Sequence, residues 1–201
     1  NEIFKICRIT DNNDPIAEWN AHNEKLDLRS NKLNEYNFES LHYKNSLGTD
    51  LYVGLPQGHK WAGGKEYTHS GIVYNPNMPT EEVFTMPHRE KVNGTLVSTK
   101  PLVYNGVVIE GMKFKFVNGK VIEASATKNN ETLQNILKMD ENSNRLGEVA
   151  LVPYDSPISN SGILFFTTLI DENASCHFAL GQSYAMTLKG SENMSEEEKL
   201  S

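Results

Sequence analysis

Three Asn-Gly pairs punctuate the middle of the chain at nearly equal intervals. They are Asn93-Gly94, Asn105-Gly106 and Asn118-Gly119, spaced 12 and 13 residues apart, with β-branched runs between them. Asn-Gly tolerates the positive φ angles of a tight hairpin turn, and β-branched residues favour strands. The pattern therefore predicts an antiparallel meander. Its strands are expected near 95–98, 101–104, 107–116 and 120–126, with Val108, Met112, Phe114 and Phe116 as inward residues.

A helical pattern precedes this region. Asp14-Pro15 is typical of a helix start, because the carboxylate accepts from unpaired N–H groups and proline presets φ at the first helical position. One or two amphipathic helices are expected over roughly 14–40. The apolar residues at helical intervals are Ile16, Trp19, Leu26, Leu33 and Phe38.

Other segments complete an α+β fold, in which a β-rich domain with a hairpin meander has a few flanking helices. Period-two alternation predicts a strand over 50–55, and apolar spacings of three and four predict a helix over 130–139. Residues 148–152 and 163–170 are apolar enough to be buried strands. A short helix is predicted over 174–180, ended by Gly181.

Composition restricts the function classes. The chain has 201 residues and a formal charge of −7, which suits one soluble domain and disfavours binding to a phosphate backbone. No stretch approaches the roughly 20 apolar residues of a membrane span. Two distant cysteines without a C-x-x-C pair predict reduced thiols and a cytoplasmic location.

None of the strongly specific catalytic motifs, such as H-E-x-x-H or G-x-S-x-G, is present. What remains is a set of polar residues beside apolar segments: Glu81, Glu82, Glu148, Glu172 and His177. The commoner roles of such residues are solvated acids and a core histidine. Taken together, carboxylates and one imidazole also suit a divalent transition metal, and two such ions about 3.5 to 4 Å apart can share one carboxylate.

Spacing alone leaves their convergence open. On a regular helix, Glu172 and His177 would lie five residues, or about 500°, apart and would not share a face. If both act at one site, the chain must turn between them, or Glu172 must lie before the helix.

Several motifs resemble one known family. NMPTEEVFT at 77–85, LGEVALVP at 146–153 and DENASCHFALG at 171–181 are similar to the thermophilic-type metallo-aminopeptidases, the family of aminopeptidase T, aminopeptidase S and PepS. Residues 48–51, 59–64 and 99–102 fit the same family. The resemblance covers nearly the whole chain in order.

The resemblance implies a broad-specificity exopeptidase that removes amino-terminal residues from peptides with two divalent ions, typically zinc or cobalt. It implies that Glu82 binds one metal, that Glu148 bridges both, and that His177 is an imidazole ligand. Tyr184 corresponds to a tyrosine beside the metals, whose hydroxyl steadies an oxyanion. Glu172 is expected either to bind metal or to act as a base.

The chain also departs from that family. Its members are about twice as long, with a further domain before the position of Asn1 and a His-x-Asp pair of ligands beyond the position of Ser201. We therefore expect an internal piece that is inactive alone. Residues 1–44 are expected to form a helical segment linking to that further domain, and 45–201 the metal-binding catalytic domain. The resemblance also implies a homodimer.

Two alternatives from other classes stay open at this stage. A metal-independent hydrolase with two carboxylates about 5 to 9 Å apart, such as a glycosidase, explains Glu82 and Glu148 but gives His177 no role. A non-catalytic dimerisation or binding module would use the hairpins and His59-Lys60-Trp61 only to pack against a partner.

Overall fold

A computed structural model of the chain describes residues 1–195. In this region two α-helices come first, ten short strands follow in succession, and three further α-helices lie before or between the last two strands. The α-helices are α1 (Glu2–Ile6), α2 (Pro15–Tyr36), α3 (Asn130–Ile136), α4 (Pro157–Ser161) and α5 (Thr168–Asp171).

The strands of the described region are mostly three to six residues long. They are β1 (Ser40–Lys44), β2 (Asp50–Gly54), β3 (Glu66–Tyr67), β4 (Val73–Tyr74), β5 (Val83–Thr85), β6 (Val92–Val97), β7 (Leu102–Tyr104), β8 (Val107–Ile109), β9 (Lys113–Val117), β10 (Lys120–Ser125), β11 (Leu146–Leu151) and β12 (His177–Leu180).

These strands form several small sheets. A five-stranded antiparallel sheet has the order β1-β2-β6-β9-β10, and a three-stranded sheet has the order β12-β11-β5. The pairs β3-β4 and β7-β8 form two separate hairpins. Antiparallel strand pairs together with separate α-helices confirm the predicted α+β class.

The chain divides into two compact units, each built from three segments. Unit 1 comprises Asn1–Tyr36, Trp61–Phe84 and Ala150–His177, and unit 2 comprises Asn37–Lys60, Thr85–Val149 and Phe178–Ser201. The predicted boundary between residues 44 and 45 stays a prediction.

Each unit has its own apolar cluster. In unit 1, residues from α1, α4 and the segment after α5 pack together, namely Ile6, Cys7, Ile158 and Ala174. In unit 2, the cluster joins the five-stranded sheet to α3 and to the start of β11. Its buried members are Leu51, Val53, Val92, Ile109, Met112, Phe114, Phe116, Leu133 and Leu146.

The long helix begins where the sequence predicts. The Asp14 carboxylate accepts hydrogen bonds from the N–H groups of Ile16 (2.9 Å) and Ala17 (3.4 Å), so it caps α2. Trp19 and Leu26 are buried. The helix ends at Tyr36, slightly earlier than predicted.

The meander prediction is confirmed in part. Asn105-Gly106 and Asn118-Gly119 form the β7-β8 and β9-β10 turns with positive φ at both residues. The predicted strand over 107–116 is instead broken into β8 and β9, which belong to different sheets. Because of this break, Ile109 and not the predicted Val108 points inward. Ile109 is fully buried, whereas Val108 is only partly buried.

Asn93-Gly94 is not a turn, because β6 runs through it. The Oδ1 atom of Asn93 accepts a hydrogen bond from the Asn118 N–H (2.9 Å). Gly94 has a φ of +121°, and a Cβ at this position would overlap the Asp50 carbonyl oxygen on β2. Close strand approach, and not hairpin geometry, explains this glycine.

The predicted strand over 163–170 is wrong. Residues 163–167 have no regular structure and α5 follows them. The Asp171 carboxylate accepts hydrogen bonds from the N–H groups of Phe165 (2.7 Å) and Thr167 (3.1 Å), so it closes a local turn that competes with strand pairing.

The predicted helix over 174–180 is also wrong, because β12 occupies most of it. Ser175 is extended, with φ −163° and ψ 168°. The Cys176 thiol contacts both backbone polar groups of Val152, at 3.4 and 3.5 Å. These contacts outweigh a weak helical pattern.

The strand over 50–55, the helix over 130–139 and the strand over 148–152 are confirmed, with small shifts, as β2, α3 and β11. Both cysteines are free. Among the described residues, no helix combines the length and apolar composition needed to cross a bilayer. The end of the polar tail, 196–201, lies outside the described residues.

Replacing Gly94 with Ala is expected to lower the free energy of unfolding by about 3 kcal/mol, because the new Cβ would overlap the β2 backbone at an unfavourable φ. Gly106→Ala is the control. That turn also has a positive φ, but nothing lies within 4 Å of the added Cβ. It should cost about 1 kcal/mol. Urea unfolding of both variants measures the difference, and equal losses would contradict the role given to Gly94.

Candidate metal centre

Glu82 lies directly before β5, and its side chain is largely buried. The neighbouring backbone is tightly held. Phe84 and Ala62 exchange N–H···O hydrogen bonds of 2.9 and 2.8 Å. A Cβ on Gly63 would come within 2.6 Å of the Glu82 carbonyl oxygen. The segment 62–63 therefore lies against Glu82 and limits how far its backbone can move.

His177 is the first residue of β12, and 15% of its side chain is exposed. Its Nδ1 lies 3.1 Å from the Ser175 carbonyl oxygen. A carbonyl oxygen only accepts, so Nδ1 carries the proton in this hydrogen bond. In the neutral ring, Nε2 then presents a lone pair, as it does in most metal-bound histidines.

The structure brings Glu82 and His177 together inside unit 1. Nε2 of His177 lies 2.9 Å from Oε2 of Glu82. That carboxylate oxygen is buried and accepts no hydrogen bond of good geometry from the described residues. One imidazole nitrogen and one carboxylate oxygen are ligand types that Zn²⁺ and similar ions accept. This pair of donors therefore fits a divalent metal.

Glu148 belongs to unit 2 and lies half-buried in β11, the middle strand of the three-stranded sheet. The preceding residue, Gly147, allows this strand to approach the 181–182 backbone closely. A Cβ on Gly147 would overlap the Gly181 carbonyl oxygen and lie 2.6 Å from that of Gln182. Only glycine fits here without moving the 181–182 backbone.

Glu172 and Tyr184 lie in short 3₁₀ regions. Glu172 starts the turn Glu172–Ala174, so it lies before β12 and not on a common helix with His177. Tyr184 precedes the turn Ala185–Thr187, and 63% of its side chain is exposed. Its carbonyl oxygen accepts hydrogen bonds from both the N–H and the hydroxyl of Thr187. Their catalytic roles stay predictions.

Sequence reasoning missed a buried polar group next to Glu82. Glu81 and Glu82 are not the solvated acids that such residues most often are, since only 3% of Glu81 and 9% of Glu82 is exposed. Arg8 contacts the Glu81 carboxylate at 2.6 Å, and His22 approaches it at 3.7 Å. No sequence pattern connects positions 8, 22 and 81.

The protonation of this group follows from burial. Burial lowers the pKa of His22 to about 4, and the Arg8 charge acts in the same direction. The Nε2–H of the neutral ring donates to the Thr80 carbonyl oxygen at 2.7 Å. Burial raises the pKa of Glu81, whereas the charge and hydrogen bond of Arg8 oppose that rise.

Comparison with known proteins agrees with the fold. The model of the thermophilic metalloprotease (M29) family matches residues 1–201. The chain therefore belongs to this family.

The relatives are named aminopeptidases. Aminopeptidase AmpS of Bacillus subtilis (strain 168) is 47% identical over 197 residues, which cover 98% of this chain and 48% of the relative. Aminopeptidase T of Thermus aquaticus is 49% identical over 188 residues, which cover 94% of this chain and 46% of the relative. The chain thus spans about half the length of the curated relatives it matches.

A solved structure of wild-type AmpT from Thermus thermophilus resembles the chain with a TM-score of 0.85 at 48% identity. The match covers 92% of this chain and 46% of that one. At this identity and TM-score, the two chains share the fold over the matched part.

Lowering the pH from about 6.5 toward about 4 is expected to destabilise the protein through His22. The unfolded imidazole takes up a proton near pH 6.5, but the buried one has a pKa of about 4. Between these values the unfolded state binds more protons, so the free energy of unfolding falls as the pH falls. Urea unfolding between about pH 7 and about pH 4.5 measures the slope.

His22→Gln is the comparison, because the amide of Gln can donate to the Thr80 carbonyl oxygen without titrating. Its stability should depend less on pH in this window. The raised pKa of Glu81 contributes with the opposite sign in both proteins. If the free energy of unfolding depended equally on pH in the two proteins, the pH dependence could not be assigned to His22.

Proposed function

We propose that this chain supplies metal ligands to a metal-dependent aminopeptidase, which hydrolyses amino-terminal residues from peptides. The observation that carries the proposal is the buried contact of 2.9 Å between Glu82 and His177. Membership of a metalloprotease family and the similarity to proteins named aminopeptidases support it.

Glu148 is the third proposed ligand. Its carboxylate, like that of Glu82, is a ligand type that divalent metal ions accept. We propose that Glu148 would bridge two divalent ions, zinc or cobalt, that Glu82 would bind one of them, and that His177 would supply an imidazole ligand.

The chemistry follows from these roles. A divalent ion in such a site polarises the scissile carbonyl and lowers the pKa of bound water. The Nδ1–H of His177 donates to Ser175, which fixes the ring and aims the Nε2 lone pair. We propose that the Glu172 carboxylate accepts the proton of the attacking water. We also propose that the Tyr184 hydroxyl donates to the developing oxyanion and stabilises it.

Family membership favours this proposal over the alternatives. A metal-independent hydrolase gives His177 no role, and a purely structural module does not explain why Glu82 and His177 meet in a buried place. The cytoplasmic location, the homodimer and the inactivity of the 201-residue chain alone stay predictions.

Substituting Glu82, Glu148 or His177 with Gln is expected to weaken Co²⁺ binding by more than about 100-fold, because loss of an outer-shell partner alone costs about 10- to 100-fold. The protein is first treated with a chelator, and Co²⁺ is then titrated while its visible absorption is followed. Glu123→Gln is the control, since Glu123 is an exposed carboxylate paired with Lys115. Unchanged Co²⁺ binding in all three ligand variants would contradict the proposal.

A further inference from the structure

Glu81 lies next to the proposed ligand Glu82, yet its carboxylate has a separate partner. Nη2 of Arg8 lies 2.6 Å from one Glu81 oxygen and donates to the other at 2.8 Å. The Arg8 guanidinium also lies 5.5 Å from the centre of the Trp19 ring. The charge of Glu81 is therefore compensated by a cation of the chain itself.

The backbone before Glu82 is held as well. The N–H of Glu81 donates to Oδ1 of Asn173 at 2.7 Å, and the Thr80 carbonyl oxygen accepts from His22 at 2.7 Å. Asn173 is fully buried, and its own carbonyl oxygen accepts from the Ser156 hydroxyl at 2.7 Å. Three separate segments of unit 1 thus hold Thr80 and Glu81, through Arg8, His22 and Asn173.

We infer that Arg8, Glu81 and Asn173 are positioning residues for the metal ligand Glu82, an inference that rests on the proposed function. Their contacts fix the 80–82 backbone, so that the Glu82 carboxylate meets Nε2 of His177. Arg8 also engages Glu81, so that only one of two adjacent carboxylates is available to a cation.

Stability alone does not account for this arrangement. Removing two charges from water costs several kcal/mol per ion, and replacing a buried ion pair with apolar residues is often neutral or stabilising. Outer-shell groups that orient a ligand, in contrast, contribute directly to metal affinity. An ion pair adjacent to a ligand is explained better by orientation than by its own energy.

The test is the double variant Arg8→Met with Glu81→Leu, which replaces the pair with apolar groups of similar size. We expect Co²⁺ affinity to fall about 10- to 100-fold in the purified protein. The visible spectrum of bound Co²⁺ should change as well, because the Glu82 carboxylate would no longer be held in one orientation. The urea midpoint should stay near that of the wild type.

Two further variants separate positioning from folding. Arg8→Lys keeps the charge but loses the planar guanidinium, and should weaken Co²⁺ binding less than the double variant. If the double variant does not fold, the Co²⁺ affinity of Arg8→Lys is the test. A wild-type Co²⁺ affinity in Arg8→Lys would then overturn the inference. Thr49→Val is the control for general destabilisation, because it removes two partly buried hydrogen bonds between Thr49 and Val97. It should leave Co²⁺ affinity unchanged.

The outcomes are distinguishable from failure of the proposed function. Wild-type affinity in the double variant, with binding lost in Glu82→Gln, overturns the positioning role and leaves the proposed function standing. Equal weakening in Thr49→Val and the double variant also overturns it. Absence of Co²⁺ binding in the wild type overturns both.

Discussion

The ion pair between Arg8 and Glu81 connects the architecture of unit 1 to its chemistry. Arg8 follows the first helix, and Glu81 precedes β5. Because the carboxylate is almost fully buried, its charge needs a compensating cation, and Arg8 supplies one from 73 residues away in the chain. Positions 8 and 81 can satisfy this requirement only when α1 and the 80–82 segment are correctly placed. The Arg8–Glu81 contact therefore forms only in the folded arrangement of this unit.

Elements determined by local sequence were predictable. Asp14 caps α2, two Asn-Gly pairs form hairpin turns, and the apolar run after Glu148 is part of β11. In each case the signal lies within a few residues, where backbone preference and side-chain periodicity act directly. The α+β class follows from such elements without any knowledge of long-range contacts.

The failures share a cause, which is competition from a contact that the local pattern does not contain. Gly94 is required by the passing β2 backbone, and Asp171 turns an apolar run away from strand geometry. Cys176 lies in a strand because its thiol meets the Val152 backbone. Each of these contacts joins residues several to tens of positions apart, so period and propensity could not show them.

The local sequence also does not show which acidic residue is a metal ligand. Glu82 and His177 are candidates as polar residues beside apolar segments, but only the family resemblance makes them expected ligands of one site, since their separation of 95 residues indicates nothing by itself. Glu81 and Glu82 are identical in type and adjacent, yet one meets a guanidinium and the other an imidazole lone pair. A carboxylate beside a permanent cation is already neutralised, whereas one beside a lone pair needs a proton or a metal ion between them. The difference between a structural acid and a metal ligand thus lies in the partner that the fold supplies.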